Sequence, residues 1–276
     1  MIYKYIYIYI YLYIMKKIAF CFLIYDVINC EELWDIFFKN VDTNKYNIYI
    51  HYKYMVSLKY FEKYKLNNCI DTKYADISLV NAQNILLQEA LKDIDNQHFI
   101  FLSNSCVPLK CFNYIYDNLN ENYSYFNITP QSHCFPRCNS ALSFIDKKYI
   151  QKAAQWCILN RKHSELMINN KNYITWFNFN GTIPDEHCYI TNIFINNLEN
   201  EIITTLNIAA GATTFINWEG MDYKYVSTKN LKEYSEITEE ELLYLLNSNS
   251  LFGRKFNRKC IISFINNIYI DFITSK

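Results

Sequence analysis

Glycine is scarce in this 276-residue chain, which has only Gly181, Gly211, Gly220 and Gly253. No two of them are spaced for a G-x-G-x-x-G turn or a Walker loop, so the sequence excludes these glycine-rich phosphate-binding devices. A surplus of positive charge is also missing, because 27 Lys and Arg balance 27 Asp and Glu. Binding to duplex nucleic acid requires a basic surplus, and we therefore expect no nucleic-acid partner.

The ten cysteines form neither a disulfide scaffold nor a clear zinc motif. Their density is too low for a disulfide-stabilised mini-protein, and no C-x-x-C pair occurs. Zinc sites need paired ligands at tight, repeated spacing, which leaves His133 with Cys134 and Cys138 as the one cluster to consider. Buried free thiols are the expected state, because a free cysteine packs like a small apolar side chain.

The first fourteen residues, MIYKYIYIYIYLYI, alternate Tyr and Ile and differ in composition from the rest of the chain. A membrane-crossing helix needs about 20 apolar residues. A signal peptide needs a basic start and a small-residue cleavage site. The segment has neither pattern, so we expect no transmembrane span. We treat residues 1–14 as a low-complexity appendage and residues 15–276 as a single domain, with Met15 as an alternative start.

Apolar runs and amphipathic segments alternate through the first half of the chain. Continuous apolar runs predict buried strands at 18–24, 46–50 and 99–102. Helical patterns predict helices at 31–40, 78–91 and 112–119, and a further helix at 148–169. This alternation predicts a mostly parallel sheet flanked by helices, in which ligands bind beyond the carboxyl ends of the strands.

Two segments that could carry chemistry are a polar turn and an acidic one. The sequence FIFLSNSCVPL at 99–109 is a strand that leads into a polar turn, and an ordinary strand-to-loop junction has the same composition. Pro184, Asp185, Glu186 and His187 combine two carboxylates with an imidazole, and a positioned carboxylate can act as a general base. The same residues also suit a helix N-terminus, with Pro first and acids in the first turn. Both roles are compatible.

Two further segments are basic and aromatic. The sequence LFGRKFNRK at 251–259 concentrates four cations, which fit either a solvated face or a site for a diphosphate. Since the charge of the chain is otherwise balanced, this is the best anion site available. Trp218 follows an apolar run. A tryptophan here can pack in the core or stack on a sugar ring, and the sequence is compatible with both roles.

Taken in order, these segments resemble the plant-type members of the core-2/I-branching enzyme family, glycosyltransferase family 14. The matching motifs are Ser-Asn-Ser-Cys-Val-Pro-Leu at 103–109, Lys-Ala-Ala-Gln-Trp at 152–156 followed by Asn-Arg at 160–161, Asp-Glu-His at 185–187, Thr-x-x-x-Trp at 214–218 and Leu-Phe-Gly-Arg-Lys-Phe at 251–256. The similarity extends from about Ile18 to Arg258. One departure is the Ala-Ala pair at 153–154, where the family has Gly-Ser.

The resemblance implies a GT-A type α/β fold. It also implies an inverting transfer of N-acetylglucosamine from UDP-GlcNAc to a hydroxyl of a glycan or glycoconjugate acceptor, in a β-1,6 linkage. Most GT-A enzymes place a metal-binding Asp-x-Asp after a central strand, but this chain has Ser-Asn-Ser there. The sequence Asp93-Ile94-Asp95 precedes the strand and is interpreted as a helix-to-strand loop. We therefore expect no metal and no other cofactor.

The family motifs also imply the residues of the site. Glu186 is expected to be the catalytic base, with Asp185 beside it. The donor side is assigned to Lys255, Arg254, His51, Lys53, Ser103 and Ser105, and the acceptor side to Trp218, Arg137 and Trp156.

Two alternatives to this function are open. The first is a transferase that uses another UDP-sugar such as xylose, and the second is a non-catalytic relative that binds a glycan or a nucleotide. Localisation is open too: a start at Met15 implies a soluble cytoplasmic enzyme, whereas the family analogy implies a membrane-associated Golgi enzyme.

Overall fold

The computed structural model describes residues 16–131, 134, 138–204, 213–217, 231–260 and 267–275. The strands in these ranges are β1 (Lys17–Ile24), β2 (Tyr46–Tyr52), β3 (Asn96–Ser103), β4 (Val107–Pro108), β5 (Ser124–Phe126), β6 (Ile128–Thr129), β7 (Lys152–Ala153), β8 (Ile158–Asn160), β9 (Ile202–Thr204), β10 (Thr214–Ile216) and β11 (Phe252–Arg254). The α-helices are α1 (Glu31–Phe38), α2 (Ile77–Ala90), α3 (Phe112–Asn118), α4 (Arg161–Asn169), α5 (Asn172–Phe177), α6 (Pro184–Ile195), α7 (Glu239–Asn247) and α8 (Asn267–Thr274).

A six-stranded sheet in the order β2-β1-β3-β8-β5-β9 forms the centre of the structure. β1 pairs in parallel with both β2 and β3, and β5 pairs in parallel with β9. Only β8 runs antiparallel to its neighbours, β3 and β5. The mostly parallel sheet and the first three strands and helices therefore confirm the sequence prediction, with boundaries that differ by three residues or fewer.

The predicted helix at 148–169 is wrong over its first half. β7 and β8 occupy part of that range, and α4 supplies only its last nine residues. All three residues of β8 are buried, because β8 lies between β3 and β5. A short apolar run that is buried on both faces cannot be told from a helical segment by its periodicity. The side chain of Asn160 caps α4 by accepting a hydrogen bond from the N–H of His163, so the helix begins only there.

Alternate residues of β1 pack into two separate apolar layers. Ile18, Phe20 and Phe22 face a cluster that includes residues of α1, α3, α7 and α8. Ala19, Cys21 and Leu23 face a second cluster, formed with α2, α5 and α6. The strand is thus covered on both faces, which explains its continuous apolar sequence.

Trp34 on α1 connects the first apolar layer to the turn after β3. Its ring meets Phe22 edge-on at 5.0 Å and Phe20 at 6.4 Å between centroids. The indole N–H donates to the carbonyl of Cys106 at 3.0 Å. A buried tryptophan needs such a partner for its one polar group, and here the partner lies at the carboxyl end of the sheet.

A small second sheet carries the basic segment to the same end. β11 pairs in parallel with β10 and antiparallel with β4, which follows β3 directly. The N–H of Leu109 donates to the carbonyl of Leu251 at 2.8 Å, which extends this pairing. Arg254, the last residue of β11, is therefore held beside the carboxyl end of the central sheet.

All the cysteines of the chain lie within the described ranges. All ten cysteines are free thiols, and only Cys69 and Cys111 are partly exposed. Within those ranges no helix has the length and the apolar content needed to cross a bilayer. The residues described also contain no group of three potential metal ligands, and His133 lies outside them.

We expect Trp34→Ala to destabilise the fold strongly. The side chain is 0% exposed, so its removal leaves a cavity and an unpaired carbonyl, and the free energy of unfolding should fall by about 3–5 kcal/mol. Tyr74 is 95% exposed, and Tyr74→Ala is the matched control, with an expected change within about 0.5 kcal/mol. Urea denaturation of both variants measures the difference. Equal stabilities would contradict the role assigned to Trp34.

Candidate active site

The loops at the carboxyl ends of β1, β2 and β3 are tied to one another and to the basic segment. The N–H of Lys53 donates to the carbonyl of Tyr25 at 3.1 Å. The N–H of Asn29 donates to the carbonyl of Asn104 at 2.8 Å, and its side-chain amide donates to the carbonyl of Phe256 at 2.8 Å. One continuous edge results, and it is the edge at which α/β sheets bind ligands.

Ser103 and Ser105, both expected on the donor side, form a buried turn after β3. The two hydroxyl oxygens lie 3.1 Å apart, and that of Ser103 lies 3.2 Å from the sulfur of Cys106. The carbonyl of Ser105 accepts a hydrogen bond of 3.0 Å from the N–H of Phe256. In the structure these serines shape the turn against which the basic segment packs.

His51 and Lys53 hold the loop that follows β2. His51 is fully buried, and its Nε2 accepts a hydrogen bond of 2.9 Å from the N–H of Ile70. Burial lowers the pKa of His51 to about 4, so the ring is neutral near pH 7. The ammonium of Lys53 donates to the carbonyl of Thr72 at 2.6 Å and lies 5.6 Å from the ring centre of Tyr25. Their expected contact with the donor stays a prediction.

The segment before α6 explains where the carboxylate pair is placed. Gly181 adopts φ +88°, a conformation that glycine adopts without strain. Thr182 then donates its hydroxyl to the carbonyl of Phe177 at 2.6 Å, and Pro184 opens the helix. Asp185 and Glu186 fall in the first turn, where the helix dipole favours negative charge. The interpretation as a helix N-terminus is therefore confirmed.

Three consecutive side chains of α6 point to three different partners. The carboxylate of Glu186 lies 3.0 Å from the ammonium of Lys152 on β7. The Nδ1 of His187 donates to the carbonyl of Gln151 at 2.6 Å. The carboxyl group of Asp185 interacts electrostatically with Arg254 and Lys152. The start of the helix thus contacts β7 and interacts electrostatically with Arg254 of β11.

The two carboxylates have different environments. Burial raises the pKa of Asp185 to about 7, and the negative charge of Glu186 adds to the rise. Arg254 and Lys152 oppose it and hold the pKa of Asp185 below what burial alone would produce. Two neighbouring titratable groups in unlike environments are typical of sites where one of them handles a proton.

Arg254 is the cation that faces these carboxylates. Its guanidinium lies 4.8 Å from the ring centre of Trp156, which forms a cation–π contact. Burial lowers the pKa of Arg254, and the nearby carboxylates of Asp185 and Glu186 oppose that change. An arginine stays protonated in proteins all the same. A fixed positive charge therefore lies near the carboxylate pair.

Two other cations of the basic segment, Lys255 and Arg258, are paired at the surface. The ammonium of Lys255 is 40% exposed and lies 2.5 Å from the carboxylate of Glu233. Arg258 pairs with Asp26 at 2.7 Å. These two cations thus have acidic partners at the surface, whereas Arg254 packs against Trp156.

The acceptor-side residues are only partly described. Trp156 packs against Arg254, and its carbonyl accepts a hydrogen bond of 2.7 Å from the hydroxyl of Thr213, so the structure associates it with the basic segment. Its expected contact with the acceptor stays a prediction. Trp218 and Arg137 lie outside the described residues.

Asp93 and Asp95 lie at the opposite edge of the sheet. The ammonium of Lys17, the first residue of β1, is 2.9 Å from Asp93 and 3.7 Å from Asp95. This placement confirms that Asp93-Ile94-Asp95 is a helix-to-strand loop at the amino ends of the strands.

Sequence reasoning missed Lys152, Gln151 and Glu233 as residues of this site. Lys152 begins a family motif and Gln151 directly precedes it, but Glu186 follows Lys152 by 34 positions, and no periodicity links them. Glu233 carries no motif at all. Its contact with Lys255 depends on how the chain returns to β11.

A mostly parallel sheet with a carboxylate pair and a buried arginine at its carboxyl edge is a GT-A-like α/β arrangement. The sequence profile of the Core-2/I-Branching enzyme family matches residues 18–245, and the chain belongs to that family. It is also similar to "Glycosyltransferase BC10" of Oryza sativa subsp. japonica, with 28% identity over 169 residues. This match covers 58% of the chain and 42% of the rice protein, so the chain matches less than half the length of that relative.

The raised pKa of Asp185 predicts a pH-dependent stability. Between about pH 4 and pH 7 the folded state keeps a proton that the unfolded chain has lost, so the contribution of Asp185 to stability falls as pH rises through this window. Asp185→Asn removes that titration. We expect the variant to gain stability relative to the wild type from pH 4 to pH 7.5, as measured by urea denaturation at both values. Parallel stability curves for the two proteins would contradict the prediction.

Proposed function

We propose that this protein is an inverting glycosyltransferase that moves N-acetylglucosamine from UDP-GlcNAc to a glycan hydroxyl, in a β-1,6 branching linkage and without a metal ion. Family membership supports glycosyl transfer, and the rice relative is named a glycosyltransferase. The observation that carries the proposal is the carboxylate pair at the start of α6, which interacts electrostatically with the buried Arg254.

Glu186 is the base in this proposal. Its carboxylate takes the proton of the acceptor hydroxyl while the hydroxyl oxygen forms a bond to the anomeric carbon of the donor. The bond from that carbon to the diphosphate oxygen breaks at the same time, and UDP leaves with the electron pair. Because the attacking and leaving oxygens lie on opposite faces, the configuration inverts.

Arg254 and Lys255 stabilise the leaving group. Arg254 is charged and already held by Trp156, so it needs no reorganisation as negative charge develops. The ion pair of Lys255 with Glu233 is partly exposed, and such pairs contribute little stability. A diphosphate can therefore replace Glu233 as the partner of Lys255 at small cost.

The metal-free part of the proposal rests on the placement of the acidic residues. The Asp-x-Asp of this chain lies at the amino edge of the sheet, where Lys17 neutralises it. At the carboxyl edge the turn after β3 carries Ser103, Asn104 and Ser105, which present no carboxylate to a cation. Fixed cations of the basic segment take the place of the metal.

The first test is UDP release from UDP-GlcNAc in EDTA, with a panel of glycan acceptors. Glu186→Gln keeps the shape of the side chain but removes the base, so kcat should fall by about 10²–10⁴ with little change in the KM for the donor. Glu165 forms an exposed ion pair with Arg161 at 2.9 Å, and Glu165→Gln is the control that should keep full activity.

The outcomes separate the parts of this proposal. Equal turnover in wild type and Glu186→Gln would remove Glu186 as base. Loss of release in EDTA, with recovery on added Mn²⁺, would overturn the metal-free mechanism. Release from UDP-xylose but not from UDP-GlcNAc would reassign the donor. Binding of UDP without release from any donor would favour the non-catalytic alternative.

A second test concerns the leaving-group cations. Lys255→Ala should lower kcat by about 10²-fold, because one donor to the developing charge is lost. Lys259 is an exposed lysine four positions further along, and Lys259→Ala is the matched control. Steady-state UDP release by the two variants measures the effect. Equal loss in both would show a general charge effect and would contradict a specific role for Lys255.

A further inference from the structure

Lys152 is the cation in direct contact with the proposed base. Its ammonium lies 3.0 Å from a carboxylate oxygen of Glu186, with the two side chains 23% and 29% exposed. Charges that are largely withdrawn from solvent interact more strongly than charges at a fully exposed surface. This pair therefore has a larger effect on the carboxylate than an ordinary surface ion pair would have.

The backbone of Lys152 is fixed by a two-stranded ribbon. β7 pairs antiparallel with β6, and Lys152 lies opposite Thr129 in the register. The N–H of Ala154 extends the ribbon by donating to the carbonyl of Asn127 at 2.9 Å. The side chain of Lys152 therefore starts from a defined position.

The ribbon is in turn fixed to α6. The carbonyl of Gln151 accepts hydrogen bonds from His187 at 2.6 Å and from the hydroxyl of Thr191 at 3.3 Å. The N–H of Gln151 donates to the same hydroxyl at 3.1 Å. Gln151 precedes Lys152 and His187 follows Glu186, so each member of the ion pair is one residue away from this connection. The geometry of the pair is set by the backbone.

The charges that face Glu186 come from three elements. Asp185 lies on the same helix, Lys152 on β7 and Arg254 on β11. Arg254 also interacts with Asp185, Cys106 and Glu233. Lys152 is thus the partner that acts on Glu186 by direct contact.

We propose that Lys152 is the positioning residue of Glu186, and that their ion pair holds the carboxylate in one orientation until an acceptor hydroxyl arrives. The inference rests on the proposed function, because it supports the base of that reaction. Lys152 itself does not touch the reacting atoms. Its effect should appear in kcat more than in the KM for the donor, and the conservative replacement Lys152→Arg should preserve it.

The experiment detects the contact at Glu186 directly. The chain is labelled with ¹³C at the glutamate side-chain carboxyls, and the Glu186 resonance is assigned by its loss in Glu186→Gln. In Lys152→Met this resonance should move, since the cation in contact with the carboxylate is gone, whereas Lys152→Arg should leave it close to its wild-type position. Lys162, which pairs with Glu201 at 2.6 Å, provides the control Lys162→Met, in which the Glu186 resonance should not move.

UDP release by the same variants links the contact to the reaction. In Lys152→Met kcat should fall by about 10²-fold with little change in the KM for the donor, because a misplaced base slows the reaction without weakening donor binding, and Lys152→Arg should keep most of the wild-type kcat. An unmoved Glu186 resonance in Lys152→Met overturns the inference, whatever the activity. A moved resonance in a protein that releases no UDP supports the positioning of Glu186 by Lys152 and overturns the proposed function instead.

Discussion

The carbonyl of Gln151 accepts hydrogen bonds from two side chains of α6, His187 and Thr191, and the geometry of the candidate site depends on this connection. It joins the start of the helix to β7, so the residues that lie next to these hydrogen bonds are brought into contact. A helix N-terminus would attract a carboxylate in any case. The connection to β7 adds direction, because it gives Glu186 a cation on one defined side.

A second connection positions the basic segment. The turn after β3 receives the indole N–H of Trp34 on one side and the N–H of Phe256 on the other. The first contact comes from the apolar core and the second from the residues just past β11. Core packing therefore sets where Arg254 lies.

The sequence predicted features that depend on neighbouring residues and missed those that depend on distant ones. The continuous apolar run of β1 and the Pro-Asp-Glu start of α6 are local patterns, and both were confirmed. The helix predicted at 148–169 was wrong over its first half, because β8 forms a strand only by pairing with its neighbours β3 and β5. In the same way, the carboxylates and Arg254 could be named as candidates, but the contact between Lys152 and Glu186 could not be predicted, since it requires the β6–β7 ribbon.

Two carboxyl groups and two cations lie near one another, Asp185 and Glu186 with Lys152 and Arg254, and their combined charge depends on the proton of Asp185. Below the pKa of Asp185, about 7, its carboxyl is neutral, and the group carries one more unit of positive charge than it does above that pKa. In the proposed reaction, a diphosphate beside this group would therefore be held more tightly in mildly acidic solution than in mildly alkaline solution. The acidity of the surroundings would then control how long a spent nucleotide stays bound.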